Sequence, residues 1–268
     1  MTVIEQIANL LRGISETPRL DSQFFCEVYP NPTQEQINDF VNRRQQGEPV
    51  SKIIGQRGFW KRDFYVNTDV LDPRPDSETL IEAVLKTFSD KTPDYTILDI
   101  GTGSGCLLLT LLDEYPNSKG TGVDISEKAL AVAQKNDINN RANFLHKDMF
   151  SENFMDGLEM YDIIISNPPY IPTKDIETLD NAVKLYDPIT ALDGGVDGLN
   201  PYRRLSVCLA TILKPNGYVF FEIGQGQEND VVSIMNANGW KLEKAYKDLG
   251  GIIRILSFLR ATENESNY

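Results

Sequence analysis

Histidine is almost missing from this sequence: His146 is the only one in 268 residues. Cysteine is nearly as scarce, and Cys26, Cys106 and Cys208 lie too far apart to form a CxxC pair. Together these shortages argue against a disulfide framework and against a Cys/His zinc site, so no metal is expected. Long apolar runs are lacking too. No stretch approaches the ~18 uninterrupted apolar residues of a spanning helix, and no membrane partner is expected. The first segment, MTVIEQIANLLRGI, has no basic start and carries Glu5 inside its apolar run. It reads as an amphipathic helix rather than a signal peptide, which points to a cytoplasmic protein. Basic residues are also in short supply: 26 Lys and Arg face 39 Asp and Glu, a formal net charge of −13. Grip on a nucleic-acid backbone normally rests on a basic excess, because phosphate neutralisation dominates affinity. Direct nucleic-acid binding is therefore not expected, and a small-molecule or protein substrate is favoured.

What is present suits one large domain with a small companion, since 41% hydrophobic and 24% charged residues are ordinary for a globular chain. Residues 1–48 show helical periodicity in three groups separated by Pro18, Pro30 and Pro32. Thr33, with Gln36 three residues on, predicts a capped helix start. Residues 49–70 change character. Phe59-Trp60 and Phe64-Tyr65-Val66 flank a charged Lys61-Arg62-Asp63 turn, which predicts a β-hairpin linker. Residues 71–268 form the main domain. LDPRPDSE leads into a helix with Asp76 or Ser77 near its cap. Strands and helices then alternate from Thr96, with strands at TILDI, GTGVDI, within ANFLHKDMF, at DIIIS and at Tyr218–Ile223. Helices are expected at Cys106–Leu112, Glu127–Asn139, Pro201–Leu213 and Glu228–Asn238. Trp240–Tyr246 and Ile252–Leu259 are joined by a turn short enough for an antiparallel pair. The expected fold is α/β and Rossmann-like: a mostly parallel, doubly wound sheet with a C-terminal antiparallel hairpin.

The chemistry concentrates in two motifs. DIIISNPPYI begins as a buried strand and stops at Ser166-Asn167 before two prolines. Pro168 biases Asn167 toward an extended backbone, and neither Pro168 nor Pro169 has an N–H to donate. The result is a stiff, acceptor-rich corner at a strand's carboxyl end, where open α/β sheets place their ligands. The Asn167 carboxamide oxygen and the Pro168 carbonyl are placed to accept from one –NH2 group, and Tyr170 offers a flat face. A plainer reading, in which Asn-Pro-Pro simply ends a strand with a turn, stands beside this one. The second motif is Gly101-Thr102-Gly103-Ser104-Gly105, between a strand and a helix. Its glycines allow a tight turn and close approach to a ligand. Cys106 stands where the dinucleotide fingerprint wants its last glycine, which weakens a nicotinamide-cofactor reading. Asp124 ends the next strand, where a carboxylate can take the hydroxyls of a ribose. Asp148 and Met149 end the one after, placed to meet an adenine's edge and face. With no Lys or Arg in the glycine turn to hold phosphates, the set suits S-adenosyl-L-methionine: an adenosine, a cationic sulfonium and a carboxylate.

DIGTGSG, GVDIS and IIISNPPYI are similar to the motifs of amino-methylating class I methyltransferases. GEPVSKIIGQRGFWKRDFYV, LDPRPDSE, DPITALDGGVDGLNPYRRL, FFEIGQGQ and DLGGIIRIL further resemble the HemK/PrmC family of release-factor glutamine methyltransferases, from Gly47 nearly to the end. The resemblance implies a class I S-adenosylmethionine-dependent fold with a small N-terminal helical domain; because these helices add little to a pocket built from later strand ends, they are expected to dock the protein substrate. It implies methyl transfer to the side-chain amide nitrogen (N5) of the glutamine in the Gly-Gly-Gln motif of class 1 peptide chain release factors. It places cofactor contacts on Gly101–Gly105, Asp124, Asp148, Met149 and Asn167, and substrate contacts on Asn167, Pro168, Pro169 and Tyr170. Met149 stands where some members carry an aromatic. Two enzymatic alternatives share the NPPY chemistry: a ribosomal-protein glutamine methyltransferase and, against the charge balance, a DNA adenine-N6 methyltransferase acting on a flipped base.

Overall fold

Period-two alternation explains the centre of the molecule. Ile163 and Ile165 face one side of their strand and Ile164 the other, and all are fully buried, as successive side chains on a strand must point. Both sheet faces are covered, which is why the run carries no polar stripe. Burying each such side chain contributes about 1.5–3 kcal/mol. The computed structural model describes residues 2–261; the tail expected to fray, Thr262–Tyr268, lies outside the described residues.

The chain opens with three helices, α1 (Val3–Leu10), α2 (Pro18–Val28) and α3 (Gln34–Gln45). Thr33 and Gln36 form the reciprocal capping box that the sequence signals at the start of α3. Ile7, Leu11, Phe25, Ile37 and Phe40 make a small separate core, with the rings of Phe25 and Phe40 stacked 4.3 Å apart. A short helix that the sequence reading did not anticipate, α4 (Val50–Ile54), adds Ile53 to this core.

The hairpin follows as β1 (Gln56–Phe59) and β2 (Arg62–Tyr65). Its turn is Trp60-Lys61, one residue earlier than the charged tripeptide expected. Trp60 adopts φ 56°, a left-handed conformation that disfavours a bulky side chain. Its backbone N–H donates to Glu78 Oε1 at 2.8 Å and its indole N–H to Glu114 Oε1 at 2.9 Å, which offsets the strain. Phe59 and Phe64 bury in the same core as Leu80, Ile81 and Leu108, so the hairpin is packed onto the main domain.

The main domain runs α5 (Glu78–Thr87), β3 (Thr96–Ile100), α6 (Cys106–Glu114), β4 (Lys119–Asp124), α7 (Glu127–Asn136), β5 (Ala142–His146) and β6 (Tyr161–Ser166). It continues with α8 (Asn181–Tyr186), α9 (Asn200–Cys208), β7 (Leu213–Glu222), α10 (Glu228–Ala237), β8 (Trp240–Lys247) and β9 (Ile253–Arg260). Helix α8 was not anticipated, and α9 stops short of its expected end because Leu213 already pairs with Tyr161 across β6 and β7.

The sheet order is β5-β4-β3-β6-β7-β9-β8. The pairs from β5 to β7 are parallel, and β7–β9 and β9–β8 are antiparallel. The chain moves outward from β3 through β4 to β5, then returns to β6 on the other side of β3. Strand order therefore reverses between β3 and β6, and ligands of open α/β sheets bind outside the carboxyl ends at such a point.

Candidate active site

The carboxyl ends of β3, β4 and β6 surround a cleft of about 350 Å³, within the usual range for small-ligand sites. Gly101–Ser104, Asp124, Asp148, Met149, Asn167 and Pro169 all line it. Residues about 70 apart in sequence are thus brought together by one topological switch. Gly105, Pro168 and Tyr170 are not part of this lining.

Each feature of the glycine turn has a local cause. Gly101 and Gly103 have φ of 75° and 54°, which any side chain would strain, and a Cβ on either would meet nothing within 4 Å. Their backbones therefore face open space on the cleft side. Asp124 Oδ2 accepts the Gly103 N–H and Oδ1 the Ser126 N–H, both at 2.9 Å, which fixes the carboxylate over the turn while leaving lone pairs for a ligand. Burial raises the Asp124 pKa, opposed by those backbone donors. Beneath the turn, Asp99 is wholly buried. Thr102 donates to its Oδ2 at 2.8 Å, no described residue hydrogen-bonds its Oδ1, and burial pushes its pKa up to about 7. Asp148 Oδ1 accepts the Phe150 N–H at 2.8 Å, and Arg204 Nε donates to the Met149 carbonyl at 2.7 Å, so the far end of the cleft is pinned from below.

The acceptor corner is held from its far side. Gln227 donates to the Tyr170 carbonyl at 3.0 Å, and Ile171 exchanges backbone hydrogen bonds with Leu192 and Gly194. Gly198, at φ 77°, lies so close that an added Cβ would sit 2.3 Å from the Tyr170 oxygen. Asn167 Nδ2 donates to Ser77 Oγ at 3.3 Å. Ser77, expected near a helix cap, makes no side-chain cap bond, and its hydroxyl faces Asn167 instead. Among the described residues, no hydrogen bond reaches Asn167 Oδ1 or the Pro168 carbonyl. Tyr170 packs half-buried against the core, and burial pushes its pKa up to about 12.

Several lining residues escaped the sequence reading. Phe150 is 53% exposed beside Met149 and supplies an aromatic face one position along. Val70–Arg74 and Pro188–Ala191 form another wall; Leu71–Arg74 and Pro188–Ala191 lie in segments quoted for the family resemblance but given no role in the site. Asp187 sits behind that wall, paired with Lys52 and Arg74. His146 stands outside the lining, with Nε2 2.8 Å from the Ile125 carbonyl. Among the described residues, no group of His, Cys, Asp and Glu is arranged to hold a metal, and no helix is long and apolar enough to cross a membrane.

Residues 74–184 match the model of the methyltransferase small domain. The release factor glutamine methyltransferase of Caulobacter vibrioides is 40% identical over 264 residues, covering 91% of this chain and 90% of the relative. The chain belongs to the release factor glutamine methyltransferase family. The relative of that name from Rhodospirillum rubrum is 44% identical over 220 residues, 81% of this chain and 66% of its own length. A crystal structure of a methyltransferase from Pyrococcus furiosus shares the fold, with TM-score 0.54, 18% identity, and coverage of 75% and 89% of the two chains.

The cofactor of such an enzyme is S-adenosylmethionine, and the donor set fits it. The turn carries no basic side chain, its backbone faces open space at Gly101 and Gly103, and Asp124 presents a carboxylate to the cleft. Asp124→Ala is expected to weaken S-adenosylmethionine binding by roughly 1–3 kcal/mol, by removing a carboxylate acceptor from the cleft and unpairing the Gly103 N–H. Isothermal titration checks this, and unchanged affinity removes Asp124 from the site.

Proposed function

We propose that this chain methylates the side-chain amide nitrogen of the glutamine in the Gly-Gly-Gln motif of class 1 peptide chain release factors. The observation that supports the reading most strongly is the placement of Asn167 and Pro169 on the wall of the cleft that also holds the glycine turn. Membership of a family whose relatives carry the name release factor glutamine methyltransferase supplies the substrate class.

An amide nitrogen is a poor nucleophile because its lone pair is delocalised into the carbonyl. Asn167 Oδ1 and the Pro168 carbonyl accept the two N–H bonds of the glutamine and fix its plane. S-adenosylmethionine supplies an electrophilic methyl on a sulfonium. The residues of the corner aim the nitrogen's out-of-plane face toward the cleft, and such positioning can save up to ~7–11 kcal/mol of the barrier. As positive charge grows on the nitrogen, its bonds to both acceptors strengthen, which favours the transition state over the ground state. No strong base is required, because the methylated nitrogen is acidic enough to lose its proton afterwards.

None of the described residues up to position 48 lines the cleft, and in this reading residues 1–48 dock the release factor, with residues 49–70 as the link. A groove of about 960 Å³ runs between α2, α4, the hairpin and α8. Leu20 and Phe24, 45% and 41% exposed, lie on it, and Asp72 and Arg74 belong to both the groove and the cleft. Phe24→Asp should raise KM for intact release factor by ~10-fold or more, the cost of losing an apolar anchor at an interface. Its kcat and affinity for S-adenosylmethionine should not change. Full activity at low release-factor concentration would refute the docking role. Offering release factor, ribosomal protein and duplex DNA in parallel with methyl-labelled cofactor tests the substrate class. Label on the release factor alone supports the reading, and label on either of the others replaces it.

A further inference from the structure

We propose that Glu222 and Ser77 are positioning residues that lock the Asn167 carboxamide with its oxygen toward the substrate. The proposal rests on the reading of Asn167 as the amide clamp. An asparagine side chain can be turned over with little change in shape, yet only one orientation offers an acceptor to a glutamine –NH2. Something beside Asn167 must select it.

Glu222 ends β7, the strand paired with β6, where Ser166 lies opposite Phe221. It is 2% exposed, and among the described residues its Oε2 has no hydrogen-bond partner. A buried carboxyl with an idle oxygen is costly unless its surroundings use it. The Ser77 hydroxyl and the Asn167 amide both face this carboxyl and favour its charged form. Asn167 Nδ2 also donates to Ser77 Oγ at 3.3 Å. The amide therefore donates to the hydroxyl, and the hydroxyl faces a carboxyl whose charged, accepting form it favours. Acceptors on this side of Asn167 exclude its Oδ1 and send that oxygen toward the cleft. Glu222 is absent from the cleft lining, whereas Ser77 and Asn167 are part of it, so Glu222 acts through its neighbours.

The surroundings bracket the charge of Glu222. Burial pushes its pKa up to about 7; Ser77, Arg254 and Asn167 oppose this, and Asp76 adds to it. Arg254 comes from β9 and is itself held by Asp248 at 3.1 Å and Asp76 at 3.2 Å. Tyr202 of α9 donates to the Glu222 carbonyl at 2.8 Å, and Tyr170 and Cys106 also feel its charge. Glu222 is thus gripped at its backbone carbonyl, while its carboxyl is left for Ser77 and Asn167.

The test is a kinetic cycle in the full chain, with release factor as methyl acceptor. Ser77→Ala and Glu222→Gln are each expected to lower kcat by about 10–10²-fold, the cost of a misplaced reacting geometry, with S-adenosylmethionine affinity unchanged. In an Asn167→Ala background the same substitutions should have almost no further effect on kcat, because no carboxamide remains to orient. Losses that multiply with that of Asn167→Ala, or wild-type kcat in either single variant, overturn the proposal. If Glu222→Gln does not fold, the Ser77→Ala pair of measurements decides alone. Failure of the wild-type chain to methylate release factor is a different outcome, and it refutes the function rather than the lock.

Discussion

Asn167→Ala should lower kcat for release-factor methylation by about 10²–10³-fold, the usual cost of losing one positioned transition-state contact. Binding of S-adenosylmethionine should change little, because the glycine turn, Asp124 and the Pro168 carbonyl remain in place. The substitution removes one of the two acceptors that fix the glutamine plane and leaves the buried strand behind it intact. Ser166, whose hydroxyl donates to the Ile100 carbonyl at 2.6 Å, still ties β6 to β3. Asn167→Asp is the informative companion. It keeps an acceptor of similar shape but places charge beside a sulfonium and a second buried carboxyl, Glu222. It should therefore bind the cofactor without recovering the rate. Single-turnover kinetics separates the steps: near wild-type kcat in Asn167→Ala returns NPPY to a strand-ending turn.

Lys52→Met should destabilise the protein by about 3–5 kcal/mol, the cost of stripping one partner from a buried ion cluster. The Lys52 side chain is fully buried, with Nζ 2.8 Å from Asp72 and 3.2 Å from Asp187. Nζ also donates to the Asn67 and Val70 carbonyls at 2.8 and 2.6 Å. Among the described residues, removing it leaves Asp72 the Ser51 hydroxyl and Asp187 the Arg74 guanidinium as partners. Both carboxylates flank the wall that closes the cleft, since Asp72 lines it and Asp187 precedes Pro188. Loss of stability should therefore come with weaker cofactor binding. Urea unfolding with and without S-adenosylmethionine checks both effects, and a midpoint within error of wild type would mean the cluster is open to water.

How much of this was legible in the sequence follows from how each feature is encoded. The βα alternation, the glycine turn and the NPPY corner are contiguous motifs, and the structure places their elements where the periodicity indicates. Three short helices were readable too, because prolines separate their apolar groups and Thr33 and Gln36 mark the start of the third with a capping box. Roles that arise only through space were not readable. Ser77 looked like a cap; its helix instead begins from a 3₁₀ turn at Pro75–Ser77, which frees the hydroxyl for Asn167. Glu222 and Asp187 carry no readable role in the sequence, since nothing local to either says what it faces. Lys52 carried no signal, because a lysine in a five-residue helix looks solvated until Asp72 and Asp187 close over it. The hairpin turn shifted by one residue because Glu78 and Glu114, far along the chain, hold Trp60 in a strained backbone.

The most direct measurement is peptide mapping of a release factor after incubation with the full chain and S-adenosylmethionine. A single added methyl on the side-chain nitrogen of the glutamine that follows two glycines is the predicted result, with the same peptide almost unmodified when Asn167→Ala replaces the wild type. A methyl on any other residue, or equal modification by both proteins, would contradict the assignment of Asn167 and Pro168 as the clamp for a substrate amide.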